Sequence, residues 1–259
     1  MKSDDPQLAE VAADFARRQS QEMPAKPSGV VLRAIPPAMT DEQADVVRQR
    51  EEAYAKQQAA RQAHANLGKL IQQRGERYAQ CKLDNFTTDG HASPVAALEK
   101  LRAYCQNITT HAANGVGVFL FGPCGTGKDH LAMGVAKAFI NATGQSVSWA
   151  SGAMLFEQLR DSFDGKKSEG EVMAPHVKAP LLWISDPLPV RGELTQYQGE
   201  ALYRLVDARY NARRPIVMTA NIEPGTADLT LGPAIARRLR ESMVRVHCNW
   251  PPFKVSIDV

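Results

Sequence analysis

The sequence predicts an α/β domain built on a five-stranded parallel sheet and preceded by a helical N-terminal region. From about residue 80 onward, short apolar runs alternate with stretches of helical periodicity, as in parallel strands joined by crossover helices. One of these runs leads directly into a glycine-rich loop and a helix. The preceding part of the chain, rich in Gln, Ala, Arg and Glu, carries only a thin apolar stripe. We therefore expect two regions, residues 1–75 and residues 76–259.

Composition limits the class of protein. A chain of 259 residues with 44% hydrophobic residues can form one such domain with an appendage. Its net charge of +3 permits contact with nucleic acid without requiring it. The four cysteines form no C-x-x-C pair, so neither a zinc site nor a disulfide framework is indicated. The N-terminus lacks a signal-peptide core and no apolar run approaches the ~18 residues of a membrane span, so we expect a cytoplasmic protein without membrane contact.

The N-terminal region divides into three predicted segments. A short amphipathic helix is expected over about residues 5–15, and a proline-containing linker over about residues 20–39. Thr40 and Gln43 then form a capping-box pattern ahead of a long helix that runs to about residue 74. A long helix with so little apolar surface is either a solvated spacer or half of an interface. The position of the three segments ahead of a self-sufficient domain favours an interface.

The strands of the sheet are expected at five apolar runs. These are residues 117–121, 146–150, 181–185, 215–220 and 244–248. The first of them enters the loop GPCGTGKDH, residues 122–130, which nearly matches the phosphate-binding pattern G-x-x-x-x-G-K-[ST]. Its glycines allow the backbone N–H groups to approach phosphates closely, and Lys128 is placed to reach the β- and γ-phosphates. The residues expected to bind nucleotide are Gly122, Pro123, Cys124, Gly125, Thr126, Gly127, Lys128, Asp129 and His130.

The loop departs from the pattern where Asp129 replaces the hydroxyl that normally binds Mg²⁺. The partner strand is also irregular. In P-loop ATPases of the ASCE type, an apolar strand ends in an Asp that helps to hold Mg²⁺, followed by a Glu that polarises water. Here those two positions are Ser185 and Asp186.

One hypothesis is therefore that hydroxyl and carboxylate have exchanged places, with Asp129, Ser185 and Asp186 around the metal. The alternative is a relaxed site that binds nucleotide and turns it over poorly. Because Asp186 is shorter than Glu, we expect slow ATP hydrolysis at most.

From Cys81 to Phe253 the chain resembles the DnaC-type helicase loaders, AAA+ relatives of the initiator DnaA and of the IstB-like transposition ATPases. The matching segments are Cys81-Lys-Leu-Asp-Asn-Phe86, the P-loop with its unusual residue after the lysine, Leu181-Leu-Trp-Ile-Ser-Asp186, Arg214-Pro-Ile-Val-Met-Thr-Ala-Asn221, Leu231-Gly232, Ala236-Arg-Arg-Leu-Arg240 and Asn249-Trp-Pro-Pro-Phe253. The resemblance implies an AAA+ fold with ATP and Mg²⁺ as cofactors. It also implies self-association through AAA+ interfaces, single-stranded DNA as a ligand, and a hexameric replicative helicase bound through residues 1–75.

The resemblance also implies roles for individual residues. Asn221 would orient the lytic water or sense the γ-phosphate. Arg238 aligns best with an arginine finger that reaches a neighbouring subunit's ATP, and Arg237 would contact the nucleotide; which of these and Arg240 acts in trans stays open. Single-stranded DNA would bind through cationic and aromatic side chains. The candidates for that surface are Phe163, Lys166 and Tyr197.

Three functions remain open at this point. The first is ATP-dependent loading of a replicative helicase onto single-stranded DNA when replication is initiated. The second is an IstB-like accessory ATPase in transposition, which acts on duplex DNA. The third is a nucleotide-dependent adaptor without useful turnover. The N-terminal helices favour the loader.

Overall fold

The computed structural model describes residues 40–87, 92–165, 167–189 and 193–253. The helix and linker expected before residue 40, and Lys166, lie outside the described residues. The unit that begins at Gln49 is compact, and the packing below concerns that unit. Within the described ranges, no helix combines the length and the apolarity needed to cross a membrane.

The elements follow the predicted alternation of strands and helices. In chain order they are α1 Asp41–Arg74, α2 Ala92–Gln106, α3 Ile108–Ala113, β1 Gly117–Phe121, α4 Lys128–Thr143, β2 Val147–Ser151, α5 Gly152–Asp161, α6 Glu169–Lys178, β3 Leu181–Ser185, α7 Gln196–Asn211, β4 Ile216–Ala220, α8 Ala227–Thr230, α9 Pro233–Ser242 and β5 Met243–His247. Single 3₁₀ turns lie at Glu76–Tyr78, Leu83–Asn85 and Ser162–Asp164. The strands begin and end within one residue of the predicted ranges.

All five strands are parallel, in the order β2-β3-β4-β1-β5. This confirms the predicted fold class. Because β4 lies between β1 and β3, the carboxyl ends of all three meet at the edge where the P-loop begins. In the register of β3 and β4, Ser185 lies opposite Thr219. The sheet therefore places the strand-end residues of the expected site beside one another.

Both faces of the sheet are buried, as the continuous apolar runs of its strands indicate. Alternate strand residues contribute to two hydrophobic clusters; Val118, Leu120 and Trp183 belong to one, and Phe119 and Ile184 to the other. The first cluster includes residues of α1, α2 and α4, and the second includes residues of α5, α6, α7 and α9. Helix α4, which follows the P-loop, therefore packs within the first of these clusters, on one face of the sheet.

Helix α1 begins and ends as the sequence predicts, and its two parts differ. Thr40 and Gln43 exchange both capping-box hydrogen bonds, at 3.2 and 3.3 Å. Residues 49–62 are exposed throughout. Beyond them Leu70 is fully buried and belongs to the cluster around α4, while Asn66 Nδ2 donates to Gly144 O at the end of α4 (2.8 Å). The C-terminal part of α1 is therefore part of the packed core.

Candidate nucleotide site

The P-loop forms the turn that its glycines predict. Gly122, Gly125 and Gly127 all have positive φ, at 138°, 81° and 80°. A Cβ on Gly122 would lie 2.4 Å from Cys248 O, and one on Gly127 would lie 2.7 Å from a ring atom of Phe86. Glycine is required here both for backbone conformation and for close approach. The loop leads into α4 at Lys128, so its N–H groups lie at the positive end of a helix.

Two motifs of the sequence hold this loop in place. Trp250 Nε1 donates to Thr126 O (2.9 Å), and the N–H of Phe253 donates to Gly125 O (3.1 Å). Phe86 packs edge-to-face against Trp250, Phe253 and His130, with ring centroids 5.2–6.0 Å apart. The segments around Phe86 and Trp250 are distant in sequence, and both hold the P-loop in place.

Lys128 is buried and occupies the interior of the loop. Its ammonium group donates to Gly122 O at 3.0 Å and to Pro123 O at 2.7 Å. His130 lies two residues further along, and its Nε2 is within hydrogen-bond distance of Lys82 O (2.8 Å) and Asn85 Oδ1 (3.1 Å). The loop thus presents backbone N–H groups and one cation to a neighbouring cavity of about 580 Å³.

This cavity fits the triphosphate ligand that the loop predicts. It is lined by the loop, by Asp186 and Asn221, and by residues that lie ahead of the domain core, including Arg77, Tyr78 and Cys81. Its volume falls within the usual range for small-molecule sites. Bound ATP would supply a γ-phosphoryl group for transfer to water, and the chain's own contribution is the cradle, the lysine and the strand-end side chains.

Asp186 and Asn221 meet at the end of β3 and β4. Asn221 Nδ2 donates to Asp186 Oδ1 at 2.9 Å. Asp186 has a left-handed backbone, with φ 46°. Although the residue as a whole is exposed, burial of its carboxyl group raises the pKa, and the nearby charge of Asp129 raises it further. The predicted catalytic pair is therefore brought together, and its catalytic role stays a prediction.

The three residues predicted to hold Mg²⁺ already have protein partners. Ser185 Oγ accepts a hydrogen bond from Trp149 Nε1 (3.2 Å). Asp129 accepts from Thr219 Oγ1 at 2.8 Å through one oxygen and pairs with Arg74 through the other. The hydroxyl of Ser185 and both carboxylate oxygens of Asp129 therefore each have a partner within the chain, and the metal roles of Asp129, Ser185 and Asp186 stay predictions.

Arg74 is the residue of the site that the sequence reasoning missed. It is the last residue of α1, and α1 was interpreted as a spacer or an interface with a partner. A signal was present, because a carboxylate beside a phosphate cradle needs a counter-charge. An arginine followed by glycine at the end of the preceding helix was a candidate for that charge.

The three arginines of α9 lie outside the cavity and make contacts within the chain. Arg237 pairs with Glu241 and Arg240 with Asp228. Arg238 pairs with Asp207 and lies over the ring of Tyr203, with its guanidinium carbon 4.9 Å from the ring centre. The structure does not bring Arg237 or Arg238 to the P-loop of the same chain, and their roles stay predictions.

The predicted DNA-binding aromatics lie side by side near the same sheet edge. The rings of Phe163 and Tyr197 are 5.3 Å apart, and Phe163 is 67% exposed. Both line a second cavity of about 830 Å³, together with Arg160, Ser151 and Asp186. An exposed aromatic pair beside an arginine is suited to stacking and phosphate contact. DNA binding at this surface stays a prediction.

Comparison with models of protein families identifies the family of this chain. The family model described as IstB-like ATP binding protein matches residues 42–245, which cover both the P-loop and the strand-end residues. The chain belongs to the IstB-like ATP-binding family. This confirms the nucleotide-binding part of the predicted function.

Curated relatives of this IstB-like chain come from insertion sequences. An ATP-binding protein of an insertion sequence in Mycobacterium tuberculosis (strain ATCC 25618 / H37Rv) is 28% identical over 131 residues, which cover 50% of this chain and 51% of the relative. An insertion sequence ATP-binding protein of Sinorhizobium fredii (strain NBRC 101917 / NGR234) is 31% identical over 139 residues, covering 54% and 44%. The matches thus span about half the length of these relatives.

Two solved structures with the same fold are those of replication proteins. The crystal structure of the DnaC helicase loader has a TM-score of 0.59 at 22% identity, covering 67% of this chain and 99% of that one. The replication initiator DnaA, bound to AMPPCP and single-stranded DNA, has a TM-score of 0.52 at 17% identity, covering 64% and 50%. At these identities the likeness establishes the AAA+ fold of the IstB-like chain.

Proposed function

We propose that this IstB-like chain is an ATP-controlled loader that places a hexameric replicative helicase on single-stranded DNA. The observation that carries the proposal is the path of α1. Its residues 49–62 are exposed, and its last residue, Arg74, pairs with Asp129 of the P-loop. A partner held by the N-terminal region would therefore act on a helix that ends inside the nucleotide site.

The grip on the helicase is proposed for the N-terminal part of the chain. Tyr54 is 63% exposed on the accessible part of α1. Because Leu70 and Asn66 belong to the packed domain, the partner-binding region would end near residue 62. We therefore propose a boundary earlier than the one expected at residue 75.

The same fold in a helicase loader, matched over almost that whole chain, supports this assignment. The cavity beside Phe163 and Tyr197 supports a single-stranded DNA ligand, since it offers aromatic rings and Arg160 at the carboxyl edge of the sheet. Slow hydrolysis suits such a switch, in which ATP binding promotes assembly and hydrolysis releases the loader. Self-association would complete each site with an arginine of α9 from a neighbouring copy.

A second function is favoured by the curated relatives. Both are ATP-binding proteins of insertion sequences, so a transposition-accessory ATPase that acts on duplex DNA remains a candidate. The two functions differ in the DNA they use and in the partner they recruit.

A loading assay tests the proposal. The full chain is mixed with the hexameric replicative helicase of the same organism, ATP and circular single-stranded DNA, and helicase retained on the circle after a salt wash is measured. We expect retention with the wild type and loss of retention with Lys128→Ala, the matched nucleotide-site control. Preferential binding to duplex DNA together with no retained helicase would contradict loading and support transposition.

A further inference from the structure

Arg74 provides a second, partly buried cation beside the P-loop, in addition to buried Lys128. Its guanidinium carbon lies 3.7 Å from the ring centre of Tyr78, and 5.1 and 5.4 Å from those of Trp149 and Trp183. It donates to the hydroxyl of Tyr78 at 2.7 Å and pairs with Asp129. An aromatic enclosure of this kind fixes a guanidinium group and leaves it little access to water.

Asp129 is fixed from two sides. Arg74 holds one carboxylate oxygen, and Thr219 Oγ1 donates to the other at 2.8 Å. The side chains of Arg74 and Asp129 are only 14% and 23% exposed. The carboxylate is thus drawn toward the end of β4 and the end of α1, and its charge is compensated within the chain.

We propose that Arg74 is a positioning residue for the nucleotide: it neutralises Asp129 and holds that carboxylate against Thr219, so that the loop accepts phosphate. A carboxylate in place of the usual hydroxyl would otherwise repel an arriving triphosphate. Removal of the guanidinium group should weaken nucleotide binding about tenfold, because a poorly solvated negative charge would remain next to the cradle. The inference rests on nucleotide binding by the proposed loader, and it adds a residue outside the P-loop to the site.

The competing account is that Asp129 is a direct ligand of Mg²⁺. The two accounts predict opposite effects for Asp129→Asn. If Arg74 serves to neutralise the charge of the Asp129 carboxylate, the Asp129→Asn variant should bind nucleotide at least as tightly as the wild type, with or without Mg²⁺. If the carboxylate binds the metal, the Asp129→Asn variant should bind nucleotide more weakly than the wild type when Mg²⁺ is present.

The test is an anisotropy titration of N-methylanthraniloyl-ADP with the full chain, in Mg²⁺ and in EDTA. The variants are Arg74→Gln, Asp129→Asn and the double variant. Arg102→Gln is the matched control, because it breaks an ion pair with exposed Asp84 at the surface. Thermal melting of every variant in the absence of nucleotide identifies loss of folding.

We expect Arg74→Gln to raise Kd about tenfold, Asp129→Asn to leave it unchanged or lower it, and the double variant to return within about twofold of the wild type. A purely structural role for Arg74 would not be rescued in this way. If Arg74→Gln does not fold, the sign of the Asp129→Asn effect decides. The inference fails if Arg74→Gln binds like Arg102→Gln, or if Asp129→Asn weakens binding. A wild type that binds no nucleotide would overturn both the inference and the proposed function.

Discussion

Asp186 combines two unfavourable features at one position. It is a non-glycine residue with φ 46°, and its carboxyl group is desolvated beside Asp129. Each feature costs stability, and such costs concentrate at functional sites. The carboxylate is held toward the cavity by Asn221, which agrees with a role in ordering water.

Asp186→Asn should therefore stabilise the chain and slow hydrolysis. Burial raises the pKa of Asp186, so the ionised group costs stability at any pH above that value. Asparagine removes this cost and tolerates a left-handed backbone. We expect Tm to rise by on the order of 2 °C at pH 8, and the gain to shrink as pH falls through the raised pKa. Differential scanning fluorimetry from pH 4 to 8 measures the difference in Tm between variant and wild type, with Asp164→Asn, at an exposed position, as control. A Tm difference that does not depend on pH would contradict the explanation.

The residues of the P-loop could be predicted from sequence, whereas the partner of Asp129 could not. Gly122 to Lys128 are neighbours in the chain, and their spacing alone determines what the loop can do. Arg74 reaches Asp129 only because α1 packs on the cluster around α4. The local pattern offered an arginine at the end of that helix as a candidate, but it could not show the contact. The contacts that Ser185 and Asp129 make with other side chains of the protein were missed for the same reason.

Helix α1 has two roles in two parts. The sequence predicted its ends within a residue, and the capping box that marks its start is formed. Its thin apolar stripe was interpreted as a spacer or an intermolecular interface, yet Ala63, Leu70 and Ile71 pack within the domain. A short stripe is sufficient there, because only the last part of the helix is covered.

Leu70→Ala tests this division of α1. The side chain is fully buried, so its truncation should lower the free energy of unfolding by about 3 kcal/mol. Tyr54→Ala, on the exposed part, should change it by less than about 0.5 kcal/mol. Urea unfolding followed by far-UV circular dichroism gives both values. Equal effects would contradict the packing of the C-terminal part onto the domain.

At the scale of the whole molecule, each site is expected to need a second copy. The arginines of α9 lie away from the P-loop of their own chain, with Arg238 paired to Asp207. A finger in trans would exchange Asp207 for the phosphate of a neighbour. The fold class, the five strands and the edge of the sheet that carries the site could be predicted, because they follow from the order of apolar runs and helical stretches along the chain. Contacts between copies could not be predicted, because they depend on surfaces that no local pattern defines.

Mixing two inactive variants tests action in trans. Arg238→Ala keeps its own nucleotide site and lacks the finger, and Lys128→Ala keeps the finger and lacks the site. If Arg238 acts on a neighbour, the mixture should regain about a quarter of wild-type ATPase activity in the presence of helicase and DNA. Arg102→Ala, which breaks a surface ion pair with Asp84, serves as the control and should retain activity alone. No recovery in the mixture would exclude Arg238 as a finger in trans.

The loader assignment depends most directly on the grip of the N-terminal region. Mass photometry compares the full chain with a chain that starts at residue 60, each mixed with the hexameric helicase and ATP. The shorter chain keeps Leu70 and Arg74, so its domain and nucleotide site should remain folded. The account predicts a complex heavier than the hexamer with the full chain and only the free hexamer with the shorter one. Equal binding by both chains, or by neither, would contradict it.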